Sequence, residues 1–392
     1  MSRRDTFDFI IAGAGAAGLS LIYEILNSDR LSKLNILLLD KSLEPNSDKT
    51  WCFWDKNSIS FKSLIYHTWD SLEVTAHNNR FTEELSEYKY HCIRSIDFSD
   101  KIFDEVKNHP NVTLLEADIT GFSSRNEMAT VETSEGNFSA PNIFQSALRP
   151  PGYETNRVDI SLMQHFMGWE IKTKAPQFDP KKAILMDFDV QQMDGVTFMY
   201  VLPFTETEAL IEHTLFSGKL LSDSEYEEGI RAYLIENYGL KDDDYTILRK
   251  EKGVIPMEDR HYPAWYCDRV LNIGTVGGLT KPSTGYTFTR IQQHTKEIVH
   301  ALENDLPLPV SKASSYRFRV YDMMLLYLLE NHESTSITIF RELFKRNRFD
   351  RILKFLEEKT HPGQEIKIFS SLPYMPFFKA IWKMKHRIVT GA

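Results

Sequence analysis

A glycine-rich turn between an apolar strand and a helix constrains the fold of this chain most strongly. The apolar run 7–12 precedes the turn, a helical pattern over 19–26 follows it, and a second apolar run, 35–39, ends at Asp40. The turn consists of Gly13, Ala14, Gly15, Ala16, Ala17 and Gly18. A GxGxxG turn that leaves a strand, opens a helix and precedes a strand with a terminal acid is typical of a Rossmann-type dinucleotide-binding unit.

Each glycine of this turn has a predicted task. Gly13 allows the tight turn, Gly15 lets the main chain approach a pyrophosphate, and Gly18 lets the helix pack closely on the sheet. The amides and the dipole of the helix N-terminus then hold the phosphates. We expect Asp40 to accept hydrogen bonds from an adenosine ribose, with Lys41 beside it. A Gly/Ala-rich helix start without a ligand is the alternative.

A second glycine cluster follows the apolar run 270–273 and indicates which dinucleotide is bound. Its residues are Gly274, Gly277, Gly278, Lys281, Pro282, Ser283, Thr284 and Gly285. Such glycine density implies close backbone approach or positive φ angles, and exposed amides can face the pyrimidine edge of a flavin. A long nucleotide that needs contacts at both segments suits FAD, with Arg94 as a further candidate contact. An elaborate structural turn and a solvated arginine are the alternatives.

Composition excludes several other classes of protein. The chain has 392 residues and a formal net charge of −9, without the basic patch that nucleic-acid binding requires. Its three cysteines form no CxxC pair, so we expect a reducing cytoplasm, no disulfide framework and no metal site. No run reaches the roughly 18 apolar residues of a membrane span. Aromatic residues make up 12% of the chain, which fits a large apolar pocket or an aromatic core equally well.

Four further segments carry a family resemblance. They are Thr50-Trp51-Cys52-Phe53, 164–171 (QHFMGWEI), 210–214 (LIEHT) and 281–286 (KPSTGY). In this order and after the fingerprint, they resemble the FAD-dependent bacterial lycopene β-cyclases, although that family more often has a histidine where Lys281 stands. The resemblance implies a reduced FAD, NAD(P)H as its reductant, and lycopene and other acyclic carotenes as substrates. It also implies cyclisation without net redox change, at a membrane surface on the cytoplasmic side.

The resemblance further implies a fold related to flavin monooxygenases and reductases. We predict an α/β architecture in which a Rossmann-type FAD-binding domain carries an inserted β-rich substrate domain and a helical C-terminal part. The FAD-binding domain is expected in 1–60, 90–150 and 265–305, the substrate domain in 61–89 and 151–264, and the helical region in 306–392. Two apolar stretches of that region, 321–329 and 372–383, are candidates for membrane contact, and the first fits a core helix equally well.

A catalytic acid is implied at Glu212. Residues 209–216 are predicted as a strand whose alternation places Leu210, Glu212 and Thr214 on one face. The pattern alone fits a solvent-facing glutamate equally well, and it is the resemblance that makes Glu212 the proton donor. Protonation of the C1=C2 alkene of the carotene gives a cation at C1, the C5=C6 bond attacks it, and loss of the C6 proton completes a β-ionone ring. The carboxyl must then stay protonated, which burial in an apolar wall favours.

The cationic intermediate needs an apolar, aromatic surrounding. Trp51, Phe166, Trp169 and Phe204 are candidates for stabilising it by cation–π attraction, with ordinary core packing as the alternative for each. His165 and His213 fit satisfied histidines better than bases. Glu251, Glu258 and Asp259 receive no chemical role. Two other functions stay open: an NAD(P)H-dependent FAD monooxygenase or isoprenoid reductase acting on an apolar substrate, and a non-catalytic carotenoid or lipid carrier.

Overall fold

A computed structural model describes residues 5–45, 49–56, 60–311 and 314–390. The strands are β1 (Phe9–Ala12), β2 (Ile36–Asp40), β3 (Thr50–Asp55), β4 (His67–Trp69), β5 (Ser71–Ala76), β6 (Asn79–Glu84), β7 (Lys89–Arg94), β8 (Val112–Glu116), β9 (Ile119–Arg125), β10 (Met128–Thr133), β11 (Gly136–Ala140), β12 (Asn142–Gln145), β13 (Ser161–Thr173), β14 (Lys182–Asp187), β15 (Val196–Pro203), β16 (Glu208–Ser217), β17 (Tyr245–Glu258), β18 (Trp265–Cys267) and β19 (Val270–Asn272). The helices are α1 (Ala16–Leu26), α2 (Ser95–Lys107), α3 (Asp223–Tyr238), α4 (Phe288–Glu303), α5 (Tyr316–Asn331), α6 (Glu333–Arg346), α7 (Phe349–Leu356), α8 (Pro362–Phe369), α9 (Tyr374–Lys383) and α10 (Lys385–Thr390).

The fingerprint belongs to a mostly parallel sheet. Within the described ranges its strand order is β18-β19-β12-β1-β2-β8, and only the β18–β19 pair is antiparallel. The central strands are fully buried on both sides, which explains their unbroken runs of Ile and Leu. Helices α1 and α4 pack together on one face, where Gln292 donates a hydrogen bond to Ser20. This arrangement confirms the predicted Rossmann-type unit, including the helix that follows the second glycine cluster.

A second, seven-stranded sheet lies beside it. Its order is β17-β13-β16-β15-β14-β5-β6, and its pairs are antiparallel except β14–β5. Helix α3 covers one face, while α5, α6 and α7 share a hydrophobic core with the other face. Strands β5 and β6 reach this sheet from the segment between β2 and α2, as an inserted substrate domain would require. The domain boundaries themselves stay a prediction.

The apolar stretch 321–329 is part of the core. It lies in α5, where Met324, Leu326, Leu328 and Leu329 are buried against the seven-stranded sheet and neighbouring helices. Of its two interpretations, the core helix is therefore the correct one. Among the described helices, none combines the length and the apolar character needed to cross a bilayer.

Candidate active site

The fingerprint turn forms an open cradle at the N-terminus of α1. A Cβ on Gly18 would lie 1.8 Å from the carbonyl oxygen of Gly13, and one on Gly13 would lie 2.3 Å from the Ser146 hydroxyl. By contrast, a Cβ on Gly15 would meet no atom within 4 Å. No side chain caps the first turn of α1, so its amides are available to an anion. Two glycines are thus required by packing and the third faces open space.

The acid at the end of β2 fixes this turn. One oxygen of Asp40 accepts a hydrogen bond from the amide of Ala14 at 2.6 Å. Lys41 follows it with an exposed side chain. The carboxylate therefore lies beside the helix N-terminus, where the sequence predicts an adenosine ribose.

The second glycine cluster lies directly against the first. A Cβ on Gly274 would come within 2.9 Å of the Ala17 Cβ, and Gly274, Gly278 and Gly285 all have positive φ. A Cβ on Gly277 would lie 2.5 Å from the Asn272 carbonyl oxygen. The buried hydroxyl of Thr284 has no hydrogen-bond partner among the described residues and lies on the wall of a cavity. The open space and uncapped helix N-terminus of the first segment and the unsatisfied hydroxyl of the second fit a bound dinucleotide.

Two residues predicted to contact the cofactor, Lys281 and Ser283, bind carboxylate groups of the protein. The Lys281 ammonium lies 2.9 Å from both Asp322 Oδ1 and Glu358 Oε1, and the Ser283 hydroxyl donates to the same Asp322 oxygen at 2.6 Å. These polar groups therefore anchor α5 to the glycine segment, and a contact of either residue with the cofactor stays a prediction. Pro282 lines a separate cavity behind that segment.

Arg94 is also committed to protein partners. Its guanidinium lies 3.8 Å from the centre of the Tyr66 ring and donates to Asp97 at 2.9 Å. It pairs across β3–β7 with Thr50, which does line the cavity. A role of Arg94 toward a nucleotide stays a prediction.

An apolar cavity of about 500 Å³ is lined by the second glycine cluster at one side and by the C-terminal helices at another. Its wall includes Trp51, Trp54, Phe166, Phe198, Tyr200, Glu212, Thr214, Phe216, Tyr286, Phe318, Leu325, Phe340, Leu353, Phe369 and Phe377. The predicted face of β16 is confirmed, since Glu212 and Thr214 both point into this space. The cavity thus joins the nucleotide cradle, one glutamate and a predominantly hydrocarbon surface.

Two of the four predicted pocket aromatics lie elsewhere. Trp169 is buried between β13 and α3, with the cations of Arg231 and Lys250 about 5 Å from its ring. Side chains alternate along a strand, so Trp169 and Phe166, three positions apart, must face opposite sides of β13. Phe204 packs on Tyr66 and Trp69 beyond the end of β15. The cavity wall contains Trp51 and Phe166 only from this set.

Glu212 lies in a row of residues that crosses four strands. Gly168 on β13 pairs with Glu212 on one side and with Glu251 on the other, and Tyr200 pairs with Glu212 from β15. A Cβ on Gly168 would lie 2.7 Å from Glu212 Cγ and 3.2 Å from Glu251 Cγ. The absence of a side chain at Gly168 therefore lets the two glutamates approach each other across the strand between them.

Glu251 is the residue that sequence reasoning missed. One of its oxygens accepts from the Thr50 hydroxyl at 2.7 Å and from Arg249 at 2.6 Å, while Arg249 also donates to Glu170 at 3.0 Å. The other oxygen is buried and has no donor among the described groups. Glu251 and Arg249 thus form an ion pair. The sequence contains no local sign that Glu251 approaches Glu212, because this approach depends on the register of β13, β16 and β17.

The environment of Glu212 favours its neutral form. Burial, followed by the charge of the nearby Glu251, raises the pKa of Glu212 well above its usual range, and Arg249 only partly opposes this. The side chain is 7% exposed. Its place on the wall of an apolar cavity thus favours the protonated carboxylic acid.

Tyrosine hydroxyl groups form another polar part of the wall, close to Glu212. The Tyr90 hydroxyl is hydrogen-bonded to those of Tyr200 at 2.6 Å and Tyr286 at 3.0 Å. Burial raises the pKa of all three tyrosines, so they remain uncharged. Uncharged hydroxyl groups can form hydrogen bonds with the edge of a bound ring, and they add no charge beside Glu212.

The two histidines are satisfied side chains, as the sequence suggested. His165 is hydrogen-bonded to Tyr226 and Ser217, and burial lowers its pKa to about 4. The His213 ring packs below Gly229 of α3, next to the Tyr226 carbonyl. Both lie on the face of the sheet opposite to the cavity. Within the described part of the chain, no cluster of His, Cys, Asp or Glu could hold a metal ion.

Comparisons with known proteins agree with this architecture. The family described as "Lycopene cyclase protein" matches residues 8–382. The chain is 27% identical over 297 residues to a lycopene beta-cyclase of Paracoccus sp. (strain N81106 / MBIC 01143), a match that covers 72% of this chain and 70% of the relative. It is 26% identical over 290 residues to the lycopene beta-cyclase of Pantoea ananas, covering 72% and 71%.

The fold is that of a flavoprotein. A flavoprotein/dehydrogenase from Cytophaga hutchinsonii superposes with a TM-score of 0.64 at 11% identity, over 98% of this chain and 99% of the other. Its similarity supports the architecture alone. The family match extends over nearly the whole chain and confirms the resemblance carried by the sequence segments: the protein belongs to the lycopene cyclase family.

Proposed function

We propose that this enzyme is a lycopene β-cyclase that converts the linear ends of lycopene to β-ionone rings, giving γ-carotene and then β-carotene. The observation that carries the proposal is the buried carboxyl of Glu212 on the wall of an apolar cavity, where burial favours its neutral form. A hydrocarbon offers no polar group to bind, so a fitted apolar wall and one acid are what its protonation requires. The two named relatives support the same substrate class.

Glu212 acts first as an acid and then as a base. Its proton goes to C2 of the terminal alkene, and the positive charge forms at C1. The electron pair of C5=C6 closes the C1–C6 bond and moves the charge to C5. The Glu212 carboxylate then removes the C6 proton, which restores a C5=C6 double bond and the original acid. Substrate and product are isomers, so no net oxidation occurs.

The cavity wall protects the cation. Water would trap it as an alcohol, and the aromatic faces of Trp51 and Phe166 replace water beside it. A desolvated cation–π contact contributes about 2 kcal/mol. Trp51 stacks on Phe288 at 5.5 Å between ring centres, which holds its face in one orientation.

The two glycine segments are proposed to hold FAD. The α1 amides beside Gly15 and the Asp40 carboxylate would take the pyrophosphate and the adenosine ribose, and the 274–285 segment would face the isoalloxazine. Reduced FAD supplies negative charge that stabilises a nearby cation, and NAD(P)H is the proposed reductant. The open space at Gly15 and the unsatisfied Thr284 hydroxyl support this assignment.

The test is an anaerobic incubation of the purified protein with lycopene, FAD and a chemical reductant, followed by pigment chromatography. We expect γ- and β-carotene, with no product when FAD stays oxidised. A monooxygenase or reductase would instead consume oxygen or reductant in proportion to product. A carrier would return the lycopene unchanged.

The outer surface of α8 and α9 is the proposed membrane-docking surface. Its exposed apolar residues are Ile366, Tyr374, Met375, Phe378, Ile381 and Trp382, and Lys379, Lys383 and Lys385 accompany them. Aromatic and basic residues together suit a bilayer with anionic headgroups, although the whole chain is acidic. The inner faces of the same helices line the cavity through Ile368, Phe369, Leu372 and Phe377. A carotene dissolved in the membrane would thus meet the cavity behind the docking surface.

This assignment predicts a loss of vesicle binding in the Phe378→Ser, Trp382→Ser double variant. Burying each ring is worth about 1.5–3 kcal/mol, so binding to phosphatidylglycerol vesicles should weaken at least ~100-fold. Co-sedimentation measures the effect. The control is the Ile235→Ser, Leu248→Ser variant, which removes two apolar side chains outside this surface that are about half exposed. Equal binding by the two double variants would contradict the docking surface.

A further inference from the structure

Glu251 lies behind Glu212 rather than in the cavity. It is not among the side chains that line the cavity. It approaches Glu212 through the space that a side chain at Gly168 would fill. It is 3% exposed, and its neighbour Arg249 lies on the same strand two residues earlier. A buried carboxylate in such a place costs folding free energy unless it is paired, so its presence beside the predicted acid requires an explanation.

The partners of Glu251 leave its charge in place and its orientation fixed. Arg249 is shared between Glu251 and Glu170, and it also donates to the Thr50 hydroxyl at 2.9 Å. Thr50 in turn donates to Glu251. Both of these donors bind the Oε2 atom of Glu251, which leaves Oε1 without a donor. A protonated Glu212 supplies a donor of the kind that this atom lacks.

We propose that Glu251 is a positioning residue for Glu212: a fixed anion that keeps the proton on Glu212 in the resting site and draws it back after ring closure. The proposal rests on the proposed cyclase function and deepens it. Glu251 itself contacts neither substrate nor reacting atoms. The pair carries one proton, and Gly168 is the residue that permits the pair to form.

The proton count explains why a second carboxylate helps. In the resting site the proton is on Glu212, and Glu251 forms an ion pair with Arg249, which it shares with Glu170. When the proton moves to the carotene, two carboxylates and one carbocation are present, so the total charge is unchanged. Repulsion between the two anions then raises the proton affinity of Glu212, while both attract the cation. Return of the C6 proton to Glu212 restores the starting state.

Other groups around the pair do not compete for this proton. Tyr200 faces it from β15, Cys52 from β3 and Tyr286 from the second glycine cluster, and burial raises the pKa of each. Tyr90 of β7 behaves in the same way. Arg249 stays charged at all relevant pH values. The pH dependence expected for the site is therefore that of the carboxylate pair.

The proposal predicts the behaviour of Glu251→Gln. The active form of Glu212 is protonated, so activity is lost as pH rises through its pKa. Without the charge of Glu251 that pKa falls, and the alkaline limb of the kcat profile moves to lower pH. Burial, the largest cause of the raised pKa, remains in this variant. The pKa of Glu212 therefore falls but stays above that of an ordinary glutamate. Each unit by which the pKa falls below the assay pH lowers the protonated fraction about tenfold.

Matched variants separate this effect from general damage. Glu251→Asp retains the charge and should restore the position of the limb, even where kcat is reduced. Glu73→Gln is the control, because Glu73 is a buried glutamate of the same sheet that likewise accepts from a threonine, Thr82, and a cation, Lys182. The alkaline limb of the kcat profile of Glu73→Gln should match that of the wild type. KM for lycopene should be unchanged in Glu251→Gln, since the cavity wall is intact. A wild-type alkaline limb in Glu251→Gln overturns the proposal.

An infrared titration of the folded protein without substrate gives an answer independent of turnover. The C=O stretch of a protonated buried carboxyl should be present in the wild type, absent in Glu212→Gln, and lost at lower pH in Glu251→Gln. An unchanged titration in Glu251→Gln rejects the positioning role even if the protein cyclises lycopene. A shifted titration in a protein that makes no cyclic carotene would instead support the carboxylate pair and reject the cyclase function.

Discussion

Glu212→Gln is expected to keep its bound flavin and to lose lycopene cyclisation. The amide has nearly the shape of the protonated carboxyl but can neither give a proton to an alkene nor remove one from a cation. General acid–base groups commonly contribute 10²–10⁴-fold, and here one group serves both steps, so we expect a loss of at least ~10³-fold. Flavin absorbance and pigment chromatography on the same sample measure the two properties.

The same variant should be more stable than the wild type at alkaline pH. Above the ordinary value of 4.5, unfolded Glu212 releases its proton while the folded protein retains it. The folded state then binds more protons, so stability falls with rising pH by up to about 1.4 kcal/mol per pH unit from this group until its own pKa is reached. Glutamine has no such dependence. Urea unfolding at several pH values measures the growing difference.

Glu208→Gln is the control for both measurements. Glu208 lies on the same strand but in an exposed ion pair with Lys172 at 2.8 Å. Its removal should change neither the pigment products nor the pH dependence of stability. If Glu212→Gln cyclises lycopene at the wild-type rate, the carboxyl has no part in the chemistry.

The nucleotide-binding half could be predicted from the sequence because its signals are local. A buried strand, three spaced glycines and a terminal acid follow one another within 34 residues, from 7 to 40, and each is explained by its own neighbours. The face of β16 that carries Glu212 could also be predicted, since alternation within one strand decides it. The surroundings of Glu212 could not be predicted, because four strands from distant parts of the chain meet there.

The errors have the same physical origin. The sequence prediction places both Trp169 and Phe166 in the pocket. They are three residues apart on one strand, so they lie on opposite faces of the sheet. Glu251 received no role because its distance from Glu212 depends on two strand registers and on the missing side chain of Gly168. The cofactor contact predicted for Lys281 rests on its position in a glycine-rich turn, whereas its ion-pair partners Asp322 and Glu358 come from α5 and from the turn after α7.

Lys281→Met is expected to destabilise the protein strongly while leaving flavin affinity unchanged in the folded protein. The ammonium is 4% exposed and forms close ion pairs with Asp322 and Glu358. Methionine fills similar space but leaves Asp322 buried without its cation. Removing one partner of a buried pair costs about 3–5 kcal/mol. Urea unfolding and flavin titration at low temperature measure the two effects.

Two further variants test whether the loss of stability comes from the ion pair that joins α5 to the glycine segment. Lys182→Met removes one cation from the buried Glu73, which keeps the partly exposed Arg80 at 3.2 Å, so a smaller loss than in Lys281→Met is expected. Lys281→Met combined with Asp322→Leu should recover much of the loss, because a buried ion pair replaced as a whole by apolar side chains is often neutral. Since α5 also lines the cavity, the recovered variant should retain cyclisation. If flavin affinity falls with little change in unfolding free energy, Lys281 contacts the cofactor after all, and the wall of the cavity is held by other means.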